Sequence, residues 1–253
     1  MISALGRLLR LHRKNMDTNQ PRNLLLSSLS QPIIEDVLAV AEMVHFDMHE
    51  DVIAPNMPIS FVDFIESGVL SLISVMADGS QIELALIGRE GMAGLPLLLG
   101  VESVGQKLAC QVDATVWRIK GQDFLDLVKR HPELGEICKR YAVAMFEQVA
   151  ITIGCNRSHP IDKRYVRWLL LTHDRCDSDN FVATQGFLAS MLGVSRTAVN
   201  IAAGALLKSK LISYVRGKVT ILDRASLERA SCECYSAMGK SFETLMNISA
   251  LSK

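Results

Sequence analysis

Between Val182 and Ile221 the apolar positions change period twice. Phe187, Leu188, Met191 and Leu192 recur at helical spacing and predict a short amphipathic helix. Gly193 and Val194 interrupt it, glycine being the residue that most readily takes the positive φ of a helix end. Val199, Ala202, Ala203, Leu206 and Leu207 then repeat at i, i+3, i+4, i+7 and i+8, the inward stripe of a second helix. Thr184 and Ser195 precede the two helices, where a hydroxyl can accept from an orphan backbone N–H. Beyond Leu211-Ile212 the pattern shortens to β-rich Ser213-Tyr214-Val215 and Val219-Thr220-Ile221, joined by the basic turn Arg216-Gly217-Lys218. The expected unit is a helix-turn-helix with a β-wing. Its outer face would carry Thr184 and Gln185, then Ser195, Arg196, Thr197 and Asn200, with Arg216 and Lys218 on the wing. The N-terminal residues of such a second helix are the ones that meet base edges in a major groove.

Upstream, the texture is different. Short β-rich runs alternate with turns at 44–48, 61–65, 69–76, 81–87, 108–112 and 115–119, with a hairpin signal at Asp78-Gly79. Regular short strands with glycine turns predict a β jelly roll. A helix opened by Ser30 and Pro32 precedes it, and another from Gly121 to Lys129 follows. His131-Pro132 then starts a long helix to Arg157, in which Leu134, Ile137, Tyr141, Ala144, Gln148, Ile151 and Cys155 are spaced alternately by 3 and 4. That is an a/d seam, expected to join two copies of the chain. Cys155 near the dyad raises the idea of a cross-dimer disulfide. Residues 162–173 open the last domain, Asp177 to Asn180 read as a loop, and one further helix after Ala225 precedes a polar tail. The expected fold class is α+β: an arm (1–21), a β-domain (22–131), a dimer helix (132–157), a winged helix-turn-helix (158–231) and a tail (232–253).

Charge sharpens this division. The net charge of zero hides +3 on residues 1–21, −9 on 22–156 and +6 on 157–224, so the basic surplus falls on the winged segment and favours a nucleic-acid partner. No apolar run approaches the 18 or so residues of a membrane helix. The leucines and bases of residues 1–21 suit a short amphipathic helix, for which membrane docking is the weaker reading. The six cysteines lack CxxC spacing and read as reduced thiols, so neither a metal centre nor a cofactor is expected. His49 with Asp47, Glu50 and Asp51 reads as a solvated turn, and His45 and His49 as ordinary hydrogen-bonded side chains.

The order of jelly roll, long helix, helix-turn-helix and wing resembles the Crp/Fnr family of bacterial transcription regulators over about residues 24–231. Most of the match is carried by T-Q-G-F-L-A-S-M-L-G-V-S-R-T-A-V and the wing L-I-S-Y-V-R-G-K-V-T-I. The resemblance implies a cytoplasmic homodimer that binds double-stranded DNA at a palindromic operator, with RNA polymerase as a further partner. Two departures matter. Nucleotide-binding members grip a cyclic phosphate with a Gly-Glu pair and a downstream arginine. Here Gly88, Arg89, Glu90 and Gly91 fill the first position, while the stretch from Gly100 to Val112 offers Lys107 and no arginine. Cyclic AMP is therefore not the expected effector, and Arg89-Glu90 reads better as a turn pair in water than as a site. In the reading helix, Arg196 matches the family's first base-reading arginine, but Thr197 stands where glutamate is common, and Ile201, expected to pack, replaces a later arginine.

An enzyme is the competing class. Paired carboxylates in a Gly-rich frame, a nucleophile elbow, a P-loop and HExxH are all missing from the sequence. A dimeric signal-binding or interaction module without specific DNA binding is the other alternative, and the basic surplus speaks against it.

Overall fold

The computed structural model describes Gly6, Leu9 and residues 20–246 of the chain; the remaining expectations for the arm lie outside these residues. Asn23 caps the first helix of this continuous stretch. Its Oδ1 accepts from the N–H groups of Leu25 and Leu26 at the start of α1 (Leu24–Ser27), and its Nδ2 donates to the carbonyls of Ile65 and Gly91. A buried amide satisfied on both sides pins this end of the chain to the sheet. Helix α2 (Gln31–Val40) follows Ser30, with Pro32 in its first turn.

Strands β1 (Glu42–Phe46), β2 (Asp51–Ile53), β3 (Phe61–Val75), β4 (Gln81–Ile87) and β5 (Met92–Ala93), the short helix α3 (Leu95–Leu98) and strand β6 (Lys107–Lys120) form one antiparallel jelly-roll sheet. Its order is β1-β6-β3-β4, with β2 also on β6 and β5 also on β3. Four of the expected strands are in fact two: β3 and β6 each run through the breaks read between them, by means of register shifts around Ser67 and Gly68. Gly68 has φ +84°, and a Cβ there would stand 2.2 Å from the Asp113 carbonyl oxygen, so only glycine lets the two long strands cross so closely.

Helix α4 (Gly121–Arg130) leads into the long α5 (Pro132–Ser158). Then come α6 (Ile161–Arg175), β7 (Asn180–Val182), α7 (Gln185–Leu192), α8 (Arg196–Lys208), β8 (Ile212–Val215), β9 (Lys218–Ile221), α9 (Arg224–Ala230) and α10 (Cys234–Met246). The second sheet has order β7-β9-β8. The C-terminal segment is a correction. A second helix, α10, follows the expected one, and its Phe242 and Met246 enter the same core as Val62, Phe64, Val116 and Tyr141 of the jelly roll and α5. An apolar stripe of Tyr235, Met238, Phe242 and Met246 drives that packing.

The long helix holds the largest correction. Leu134, Tyr141, Ala144 and Cys155 are buried within the chain itself. Gln148 accepts from the Leu86 N–H at 3.0 Å and donates back to the Leu86 carbonyl at 3.2 Å. Ile137 and Ile151 pack on the two cores from their edges. The expected seam is thus the face that α5 lays on its own chain. The exposed face repeats with the same spacing through Val143, Phe146, Ala150 and Ile153, with Phe146 74% and Ile153 60% exposed. A helix bearing two such stripes buries the more continuous one against the nearer surface.

The two halves are fastened by charge. Arg175 at the end of α6 pairs with Glu90 in the turn after β4 at 2.6 Å, and each side chain is only 2% exposed. The neighbouring Arg89 guanidinium, also buried, donates to Asp177 and to the Leu9 carbonyl. Arg89 and Glu90 are therefore buried fasteners between domains, not a turn pair in water. Removing one member of such a pair leaves an uncompensated buried charge. Arg175→Met should lower the unfolding free energy by about 3–5 kcal/mol. Adding Glu90→Gln to it should return part of that loss, measured by denaturant titration of both variants.

Candidate nucleic-acid interface and interior cavity

The helix-turn-helix forms through the local signals that announce it. The Thr184 hydroxyl accepts from the Phe187 N–H and the Ser195 hydroxyl from the Ala198 N–H, each at 3.2 Å. Gly193 takes φ +62° and its own N–H closes α7. Inward residues Leu188, Met191, Leu192, Val199, Ala202, Ala203 and Leu206 are buried, whereas Leu207 lies at the rim, 40% exposed. Arg216 and Gly217 both have positive φ, the backbone of a tight hairpin turn, which presents Arg216 and Lys218 to solvent.

These pieces make one surface. A Cβ on Gly186 would stand 3.1 Å from Arg196 Nη2, so the guanidinium lies across the start of α7. A Cβ on Gly217 would meet Thr184 Cγ2 at 3.4 Å, so the wing tip adjoins the same helix end. Arg196, Thr197 and Asn200 are exposed along one side of α8. Ile201, expected to pack, is 70% exposed on that side. It is the apolar member of the face, and such a group can read a thymine methyl. Gln185 is half-buried at the first turn of α7. The charge surplus needs revision too. Arg164, Arg167 and Arg175 are buried and Arg224 pairs with Asp174 and Glu228, so much of the +6 is internal. The bases left outside are Arg196, Lys208, Lys210, Arg216 and Lys218, with Arg157 at the end of α5.

The residues weighed as a possible effector pocket, Gly88 to Gly91 and Lys107, are not brought together. The Gly88 position is overlain by the Arg175 side chain, and the Tyr141 ring lies on Gly91, where a Cβ would have no room. Lys107 is elsewhere, paired with Asp51 at 2.6 Å beside a cleft shared by the sheet and α7. The cavity inside the jelly roll is instead apolar. It has about 170 Å³ and is lined by Ile53, Leu72, Ile87, Met92, Leu108 and Met145 among others, with Gln106 as the one polar side chain. The His49 turn is solvent-facing, as expected, with Asp47 N–H donating to Glu50. Sequence spacing missed one grouping: Cys155, His159, Cys232 and Cys234 come together at the end of α5.

A winged helix-turn-helix thus follows a jelly roll whose wall holds an apolar cavity. Residues 43–131 match the family model of the cyclic nucleotide-binding domain, and residues 163–230 that of the Crp-like helix-turn-helix domain, together more than half of the chain. The chain belongs to the Crp/Fnr family of transcriptional regulators. Among solved structures, it resembles a chain from Eubacterium rectale ATCC 33656 assigned to that family, with TM-score 0.64 and 19% identity over 82% of this chain and 97% of that one. FixK2 of Bradyrhizobium japonicum gives TM-score 0.63 and 14% identity over 76% and 98%. CLP of Xanthomonas campestris, a c-di-GMP responsive global regulator, gives 0.60 and 17% over 76% and 99%. At these identities the likeness is one of fold. No curated protein matches the chain in sequence.

A polar chain crosses the domain boundary next to this surface. Ser71 Oγ lies 2.8 Å from Glu83 and 2.6 Å from Gln111 Oε1, and Gln111 Nε2 donates to Thr172 on α6. One hydroxyl proton cannot serve both acceptors, so the chain is complete when Glu83 is protonated and donates to Ser71. Burial pushes the Glu83 carboxyl from 4.5 up to about 7. The folded protein thus holds a proton that the unfolded chain has released. This stabilisation is full below pH 4.5 and is lost as pH rises through about 7. In thermal melts across that range, Glu83→Gln should flatten the decline seen in the wild type; an equal decline in both would assign the proton to another group.

Proposed function

We propose that the chain is a homodimeric regulator that reads an inverted-repeat operator with α8 and takes an apolar signal, not a cyclic nucleotide, in its jelly roll. The observation that carries the DNA reading is the exposed side of α8. Arg196, Thr197, Asn200 and Ile201 stand there, framed by the start of α7 and the wing tip. A guanidinium can bridge O6 and N7 of a guanine, while Asn200 and Ile201 suit an adenine edge and a thymine methyl. Thr184, Gln185, Ser195, Arg216 and Lys218 border this strip and fit phosphate contacts that set its register. The Ser195 hydroxyl accepts from the helix, which leaves its proton free to donate.

The dimer reading rests on Val143, Phe146, Ala150 and Ile153, an exposed apolar heptad stripe on a helix of 27 residues. Pairing two such stripes buries them and brings two α8 helices under one dyad. The reading against cyclic nucleotides rests on the cavity lining, where no cation is available to a phosphate. An apolar guest of modest size fits its chemistry better.

Three outcomes are expected. Arg196→Ala, tested at fixed salt on a randomised operator library, should cost about 1–3 kcal/mol and relax preference at one symmetric pair of positions. Uniform weakening across all sequences would make Arg196 a phosphate contact instead. Phe146→Asp with Ile153→Asp should yield folded monomers in sedimentation, because both side chains are solvent-exposed in the single chain. Calorimetric titration with cyclic AMP should show no micromolar binding.

A further inference from the structure

We propose that Cys155, His159, Cys232 and Cys234 form a zinc site that clamps the end of α5 to the junction of α9 and α10. The four donor atoms lie within 4.8 Å of one another. Cys155 Sγ and Cys232 Sγ are 3.6 Å apart, and Cys234 Sγ is 3.7 Å from His159 Nδ1. A tetrahedral ion with bonds of about 2.3 Å to sulfur and about 2.0 Å to nitrogen holds two sulfurs about 3.8 Å apart and a sulfur and nitrogen about 3.6 Å apart. The spacings already stand close to those values, so closing on an ion needs only small side-chain adjustments.

The chain builds this grouping from two places. Cys155 and His159 are one turn apart at the C-terminal end of α5, and the His159 N–H is fixed by the Cys155 carbonyl at 3.0 Å. Cys232 and Cys234 flank Glu233 where α9 passes into α10. Glu233 is mostly exposed, yet its carboxylate lies 3.2 Å from His159 Nε2. That is the outer partner a zinc-bound imidazole commonly has: it holds the proton on Nε2 and turns Nδ1 toward the metal.

Charge supplies an independent observation. Arg167 is 4% exposed and has no ion pair among the described residues, its nearest acidic influence being the buried Glu83 carboxyl on which its charge acts. Its Nη1 has only a 3.5 Å contact with Thr152 Oγ1 and a 3.7 Å contact with Met238 Sδ, and its Nε has no partner. A buried cation so poorly matched is costly. It acts electrostatically on each of the three thiols. Three thiolates, one neutral imidazole and Zn²⁺ sum to one negative charge, which Arg167 neutralises. Soft sulfur donors with one imidazole select zinc over hard cations, and four protein ligands leave no open position. The site is therefore structural. Loading it replaces three thiol protons, which leave to solvent, with the metal.

The test uses the full-length protein, reduced and freed of metal by a chelator, and titrated with Co²⁺ as a spectroscopic probe. One Co²⁺ per chain should bind with the strong visible absorption of a tetrahedral thiolate site, and Zn²⁺ should displace it. Zinc should also raise the melting temperature, by an amount that grows with the logarithm of its excess over Kd. Glu233→Gln, a surface change that leaves the fold intact, should weaken binding about ten- to hundredfold. Cys232→Ser with Cys234→Ser should abolish it, and Cys138→Ala, a buried thiol elsewhere, should not alter it. Any of three results overturns the assignment: less than stoichiometric binding by the reduced protein, the faint spectrum of a six-coordinate ion, or unchanged affinity in both Glu233→Gln and His159→Gln.

Discussion

The buried pair of Glu90 and Arg175 is the constraint around which the two halves are arranged. Two opposite charges sealed from water have no other partner of equal worth, so each dictates where the other's backbone must be. Arg175 ends α6, and Glu90 sits in the tight turn between β4 and β5. The pair therefore fixes the first helix of the DNA-binding domain against the jelly roll. Its neighbours conform to it. Gly88 has no side chain because the aliphatic part of Arg175 occupies that space, and Gly91 has none because Tyr141 lies on it. The stretch weighed as a possible effector site is thereby used up in structure, and the apolar cavity has a separate lining.

The cavity and the exposed stripe of α5 adjoin within one helix turn. Met145 of α5 forms part of its wall, one residue from the exposed Phe146. Any movement of Met145 would be carried by the same helix to that stripe. On the other side of the sheet, Gly193 of the turn between α7 and α8 rests on Ile82 of β4. Strand β4 and helix α5 thus connect the cavity lining to both the exposed stripe of α5 and the helix-turn-helix through direct contacts.

Legibility of these features in the sequence followed the range of the forces involved. The helix-turn-helix and wing were readable because Thr184, Gly193, Ser195 and Gly217 act on backbone within a few residues of themselves. The jelly roll was readable as a class, but its strand breaks were not, since whether Ser67-Gly68 ends a strand or bends it depends on β6. The choice of seam on α5 failed for a different reason. Leu134 to Cys155 and Val143 to Ile153 have the same period, and periodicity cannot say which stripe the rest of the chain will cover. Ile201 read as a packing residue from its chemistry alone, whereas its position on α8 places it outward. The thiol cluster escaped notice because its halves are 77 residues apart, as Cys155 and Cys232 are.

The return of α10 to the jelly-roll core has a mechanical consequence. Because Phe242 and Met246 are anchored there, the DNA-binding domain is not a pendant at the end of a tether. The chain enters it near Pro160 and leaves it near Cys232, and both crossings are short. Two covalent crossings, together with the Glu90–Arg175 pair and the contact of Gly193 with Ile82, leave that body no loose hinge. A force applied at the helix-turn-helix would be passed to the jelly roll as to the far end of a braced frame, with no slack linker to absorb it.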